Sequence, residues 1–147
     1  LAVNLSPSMD ATDIPPSRLG TVKHKLHDLL ARRAGAKTGL IAYAGSAHLV
    51  LPPTDDPALL DMFIQALSTD LIASPGKDAA GAIALAATIL EGSEAGGTLL
   101  LATDGADARQ FHERLPKPRP VDADAADGFQ CVHFHVVSLR SQSPTPR

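Results

Sequence analysis

Three short stretches of the chain carry oxygen donors or charge at points where the sequence turns. Asn4, Ser6 and Ser8 stand in Asn4-Leu5-Ser6-Pro7-Ser8, Lys77 and Asp78 follow Pro75-Gly76, and Asp104 lies in Thr103-Asp104-Gly105. Brought together, two hydroxyls and a carboxylate suit a hard cation such as Mg²⁺, which keeps several of its own waters. Nucleophilic chemistry fits less well. A serine nucleophile needs a histidine and a carboxylate in hydrogen-bond reach. No Gly-x-Ser-x-Gly elbow occurs, and no histidine is tied by spacing to Ser6 or Ser8. The Ser6-Pro7-Ser8 loop also lacks the glycines of a phosphate cradle. These residues point to binding, not to an enzyme or to a small-molecule substrate.

The elements that must position them alternate. Leu1 to Leu5 is an apolar run of strand length. Ser17 caps a helix whose Leu19, Val22, Leu26, Leu29 and Leu30 share a face, with Arg32-Arg33 at its end and Gly35 as the stop. Gly39 to Ala44 and Ala47 to Leu51 are two strands joined by the Gly45-Ser46 turn, close enough for an antiparallel hairpin, with Pro52-Pro53 ending the second. Pro57 to Leu67 predicts a helix with Pro in its permissive first turn. Ser68 to Lys77 reads as loop. Asp78 caps a third helix, Ala79 to Leu90, apolar nearly all round and so expected to be largely buried. Thr98 to Ala102 and Gln130 to Leu139 are the last strands. A weak helix at 108–115 and a Pro- and Asp-rich loop at 116–127 lie between them.

This order predicts an α/β fold: a mostly parallel central sheet, helices on both faces, strand order 3-2-1-4-5 and strand 3 antiparallel. Ligands of such sheets bind outside the carboxyl ends of central strands, which is where the three stretches fall.

Composition narrows the function classes. The chain has 147 residues, 44% hydrophobic and 20% charged, so it can bury one core. A net charge of −3 and only 3% aromatics argue against a nucleic-acid partner. One cysteine, Cys131, allows no internal disulfide and reads as a core thiol. His133 and His135 share a strand face and could hold zinc, but no further ligand is evident, so histidines facing a helix or solvent is the better reading. Asp122 to Gly128 approaches a calcium loop, but its third Asp is one residue late and His133 stands where Glu is needed, which leaves a solvated acidic loop. The chain opens at Leu1 inside a strand, without Met, and reads as a piece of a longer protein. Residues 1–140 are expected to form the domain and residues 141–147 a disordered tail.

Several segments in order resemble the von Willebrand factor A domain. They are Asn4-Leu5-Ser6-Pro7-Ser8-Met9, Pro75-Gly76-Lys77-Asp78 and Leu101-Ala102-Thr103-Asp104-Gly105. Asp13 to Leu19, Gly39 to Gly45 and Leu51 to Asp56 are similar to the bacterial branch found in Bat aerotolerance-type membrane proteins. The resemblance spans roughly residues 1–110. It implies a three-layer Rossmann-like fold and a protein–protein interaction module whose partner meets a metal-ion-dependent adhesion site at the top of the sheet. It also implies Mg²⁺ or Mn²⁺ as the ion, a membrane-anchored parent chain and an extracytoplasmic domain. On that pattern Asn4, Ser6, Ser8 and Asp104 are the metal positions. Two depart from it: Asn4 stands where the family has Asp, and Lys77 where it has Thr. The five side chains then sum to zero instead of −2. A +1 charge ~5 Å from a +2 ion costs about 6–7 kcal/mol at an effective dielectric of ~20 unless it swings away. The site is therefore expected to be degenerate. Lys77 either pairs with Asp104 in place of the cation or lies solvated on its loop tip; with Asp78 it is also a candidate partner contact.

Overall fold

The computed structural model describes residues 1–33, 35–91 and 97–104, and the backbone of 132–138. Among these residues five strands form one sheet in the order β3-β2-β1-β4-β5. They are β1 (Ala2–Asn4), β2 (Thr38–Tyr43), β3 (Ala47–Thr54), β4 (Gly97–Thr103) and β5 (Val132–Ser138). β1 runs parallel to β2 and β4, β4 runs parallel to β5, and only β2 and β3 are antiparallel. The expected order and the single antiparallel edge are both present.

Among the described residues, three helices cover the sheet: α1 (Arg18–Ala31), α2 (Pro57–Ala66) and α3 (Ala79–Glu91). Successive strand residues point to opposite faces. Val3, Leu40, Ala42 and Ala102 therefore pack with Leu19, Val22, Leu26, Leu60 and Ile64 of α1 and α2. Ala2, Ile41, Tyr43, Leu99 and Leu101 pack with Ala79, Ala82, Ile83 and Ala86 of α3. Burial on both faces is why these strands read as unbroken apolar runs.

Ser17 caps α1, its side chain accepting from the Gly20 backbone N–H at 3.0 Å. Ser17→Ala is expected to cost about 1 kcal/mol, read as a lowered urea midpoint with an unchanged m-value. α1 ends at Ala31 with Arg32 as its cap, so Gly35, left-handed at φ 81°, shapes the turn beyond the helix and is not itself the stop.

The structure corrects three further expectations. β3 does not end at Leu51 but runs through Pro52 and Pro53 to Thr54. It is an edge strand, and an edge position tolerates a residue without an N–H; irregular register around Leu40 absorbs the prolines opposite. The expected loop 68–77 contains a 3-10 turn, Thr69–Leu71, started by the Ser68 side chain. α3 is not buried all round: one stripe faces the sheet while Ala84 and Thr88 are exposed. Alanine is apolar enough to mimic a buried helix in sequence yet small enough to lie at the surface. The expected helix at 108–115, the acidic loop 122–128, Cys131 and the tail lie outside the described residues, as do the side chains of His133 and His135.

Candidate metal-site analogue at the sheet edge

The carboxyl ends of the central strands bring the candidate residues together. β1 ends at Asn4, which is opposite Tyr43 of β2; Val3 is opposite Ala102 of β4, so β4 delivers Thr103 and then Asp104 beside it. The chain leaves β1 through Ser6 into a 3-10 turn, Pro7–Asp10, whose Met9 plugs the core beneath. The segment 74–78 docks on the turn after β2: Gly45 N–H donates to Ser74 O at 2.9 Å, and Asp78 N–H donates to Ala44 O. That docking sets Lys77 over the end of β4.

Asp104 is the hub. Its side chain is only 3% exposed. Lys77 Nζ donates to both carboxylate oxygens, at 2.8 Å to Oδ1 and 2.9 Å to Oδ2. Asn4 Nδ2 donates to Oδ1 at 3.0 Å. Arg18 Nη1 donates to Oδ2 at 3.0 Å and lies 3.5 Å from Ser8 O. Asn4 is itself fully buried, and its Oδ1 accepts the Ser6 N–H at 2.8 Å. The Ser6 and Ser8 hydroxyls share a hydrogen bond of 3.0 Å. The Tyr43 hydroxyl, at the end of β2, is buried. Desolvation pushes its pKa up to about 12, against a hydrogen-bonding influence from Thr103, so it stays protonated.

Burial alone would raise the Asp104 pKa. Hydrogen bonds from Lys77 and Ser8, with the Lys77 charge, outweigh it and hold the carboxyl below its ordinary 3.8. A depressed carboxyl pKa gives stability that is complete above the unfolded value and is lost as pH falls through the folded one. The acid limb of unfolding should therefore steepen below about pH 4, and Asp104→Asn should flatten it in a pH series of thermal melts. An unchanged acid limb would remove Asp104 as its source.

Of the sequence candidates, Asn4, Ser6, Ser8, Lys77 and Asp104 meet. Asp78 does not join them: its Oδ1 accepts the Gly81 N–H at 2.9 Å, at the start of α3. It is the cap of that helix, placed there by the same loop that turns Lys77 the other way. Arg18 is the member that motif reading misses. It sits in the first turn of α1, where the helix dipole disfavours a cation, and two carboxylates offset this. Asp13 takes Nε and Nη2, each at 2.8 Å, and Asp104 takes Nη1. An arginine in the first helical turn, five residues after an aspartate, was the available signal.

Among the described residues, no group of three histidine, cysteine or carboxylate side chains converges as a metal centre, and no helix is long and apolar enough to cross a membrane. A UPF0353 protein of Mycolicibacterium paratuberculosis is 30% identical over 134 residues, covering 86% of this chain and 39% of its own length. An aerotolerance-related membrane protein from Bacteroides fragilis is 36% identical with a TM-score of 0.67, over 72% of this chain and 53% of its own. BatB from Bacteroides thetaiotaomicron is 28% identical with a TM-score of 0.74, over 93% of this chain and 63% of its own. The chain thus spans between about two fifths and three fifths of these relatives. Residues 1–106 match the model of the von Willebrand factor type A domain. With the fold, the strand order and the loop cluster agreeing over that span, the chain belongs to the von Willebrand factor type A domain family.

Proposed function

We propose that this domain is a protein–protein interaction module, without catalysis, whose ligand surface is the carboxyl edge of the sheet around Lys77, and that it binds a divalent metal weakly or not at all. Domains of this family commonly serve in adhesion and protein contacts. One observation carries the metal part. Both oxygens of Asp104, the one carboxylate among the five positions, are taken by protein donors, two of them cations. That donor set does not fit Mg²⁺ or Mn²⁺, which require oxygens free to face the ion. Calorimetric titration with each ion should give no heat of binding; micromolar affinity would reinstate a metal-dependent adhesion domain.

Lys77 remains 42% exposed although paired, so it can meet a partner carboxylate at the surface. Lys77→Glu should lower co-purification of a native partner at least tenfold, because it places a negative charge beside Asp104. Unchanged recovery would take this edge out of the interface. The internal satisfaction of the cluster also favours a second reading, a purely structural domain of a membrane-associated complex. Replacing Ser6 and Ser8 together by Ala separates the two, since the scaffold reading requires the parent protein's phenotype to survive. A membrane-anchored parent with the domain outside the cytoplasm is part of the proposal; the membrane protein from Bacteroides fragilis supports the membrane association.

A further inference from the structure

We propose that Lys77 and Arg18 act together as a divided, built-in cation, supplying from two side chains the two positive charges that a divalent ion would bring to the Asp104 edge. The proposal deepens the metal-poor reading above and adds a residue, Arg18, that the loop pattern does not assign. Its physical basis is the placement of the charges. Asp104 is nearly excluded from solvent, so an unneutralised carboxylate there is unfavourable. Two cations reach it from different elements: Lys77 from the segment before α3, and Arg18 from the start of α1. They approach different sides of the group. Arg18 takes Oδ2 and also approaches Ser8 O, which ties the β1 loop to the end of β4. Lys77 spans both oxygens and ties in the segment docked on β2.

A divalent ion gathers several loops because it is one centre with many ligands. Here the arrangement is inverted: one carboxylate is the centre, and the loops bring the cations. Asp13 holds Arg18 through two bonds of 2.8 Å and fixes the direction of the third, so Arg18 is the fixed half. Lys77, half exposed on a flexible stem, is the half that can move. Assembly of the edge then needs no ion from solution, and neither a chelator nor added Mg²⁺ should alter it.

The test is a double-mutant cycle of Lys77→Met and Arg18→Gln, read by thermal melts with and without 10 mM Mg²⁺ or EDTA. Either single variant leaves one cation on Asp104, so each should lower Tm by about 2–5 °C. The double variant leaves the buried carboxylate with only the neutral donors Asn4 and Ser8 and should fall at least about 5 °C beyond the sum of the singles. Added Mg²⁺ should then raise the Tm of the double variant while the unaltered protein responds to neither Mg²⁺ nor EDTA. Additive shifts would overturn the divided cation while leaving the metal-poor site standing; a Mg²⁺ response of the unaltered protein would overturn both. If the double variant does not fold, Arg18→Gln is compared in the Asp104→Asn background. There its effect should shrink to less than half, and an equal effect would overturn the proposal.

Discussion

Asn4→Asp combined with Lys77→Thr is expected to raise the Mg²⁺ affinity of the Asp104 edge at least a hundredfold over that of the native chain. The two substitutions act on the same oxygen. Asp104 Oδ1 accepts from Asn4 Nδ2 at 3.0 Å and from Lys77 Nζ at 2.8 Å; the double variant removes both donors and leaves Oδ1 free to face an ion. It also replaces an amide by a second carboxylate and an ammonium by a hydroxyl, moving the five-residue sum from zero to −2. The Coulomb cost of a fixed ammonium ~5 Å from the ion, about 6–7 kcal/mol at an effective dielectric of ~20, is an upper bound. Lys77 is 42% exposed, so solvent screens it and it can swing away. Retaining less than half of that figure gives about 2.8 kcal/mol, or a hundredfold. Asn4→Asp alone should gain little, because the new carboxylate sits beside Asp104 and tightens the hold on Lys77. Calorimetry on the folded double variant decides it: no Mg²⁺ binding would mean that something other than these two side chains keeps the ion out.

Charge allowed two readings of Lys77, paired with Asp104 or solvated on its loop tip, and the geometry shows the pair. Arg18 was not legible, because its reach to Asp104 depends on where α1 begins and how that helix crosses the sheet, over 86 positions of sequence separation. Asp78 carried two readings, cap and partner contact, and the geometry shows the cap. The fold was more legible than the site. Apolar runs too short for helices, spaced by capped amphipathic segments, admit few topologies, and the 3-2-1-4-5 order was among them. What sequence misjudged was extent. Proline in β3 looks like a stop until the strand is known to lie at an edge. An alanine-rich helix looks buried until its outer stripe is seen in solvent.

Gly45→Ala should destabilise the domain by about 3–5 kcal/mol and detach Lys77 from Asp104, although Gly45 touches neither. Its backbone does not demand glycine: the only positive φ values among the described residues are at Gly35 and Gly76. The demand is for space. A Cβ at Gly45 would run into the Pro75 carbonyl oxygen and lie 2.7 Å from Ser74 Oγ and 2.8 Å from Pro75 C. Backbone cannot rotate aside as a side-chain tip can, so the segment 74–78 must move. Overpacking of this kind costs ~1–3 kcal/mol. The shift also breaks the Gly45 N–H bond to Ser74 O and the Asp78 N–H bond to Ala44 O, at ~1 kcal/mol each. Gly76, at φ 133°, has its own Cβ position 3.1 Å from Gly45 Cα, so the two glycines back onto each other and neither side can yield. Gly35→Ala is the control. That position has nothing within 4 Å and loses only its left-handed backbone preference, about 1–2 kcal/mol. The coupling makes the test specific to the site. In the Gly45→Ala background Lys77→Met should lower Tm little further, because the ammonium is already displaced. If Gly45→Ala costs no more than the control, or Lys77→Met still has its full effect, the close approach of these loops does not position the lysine.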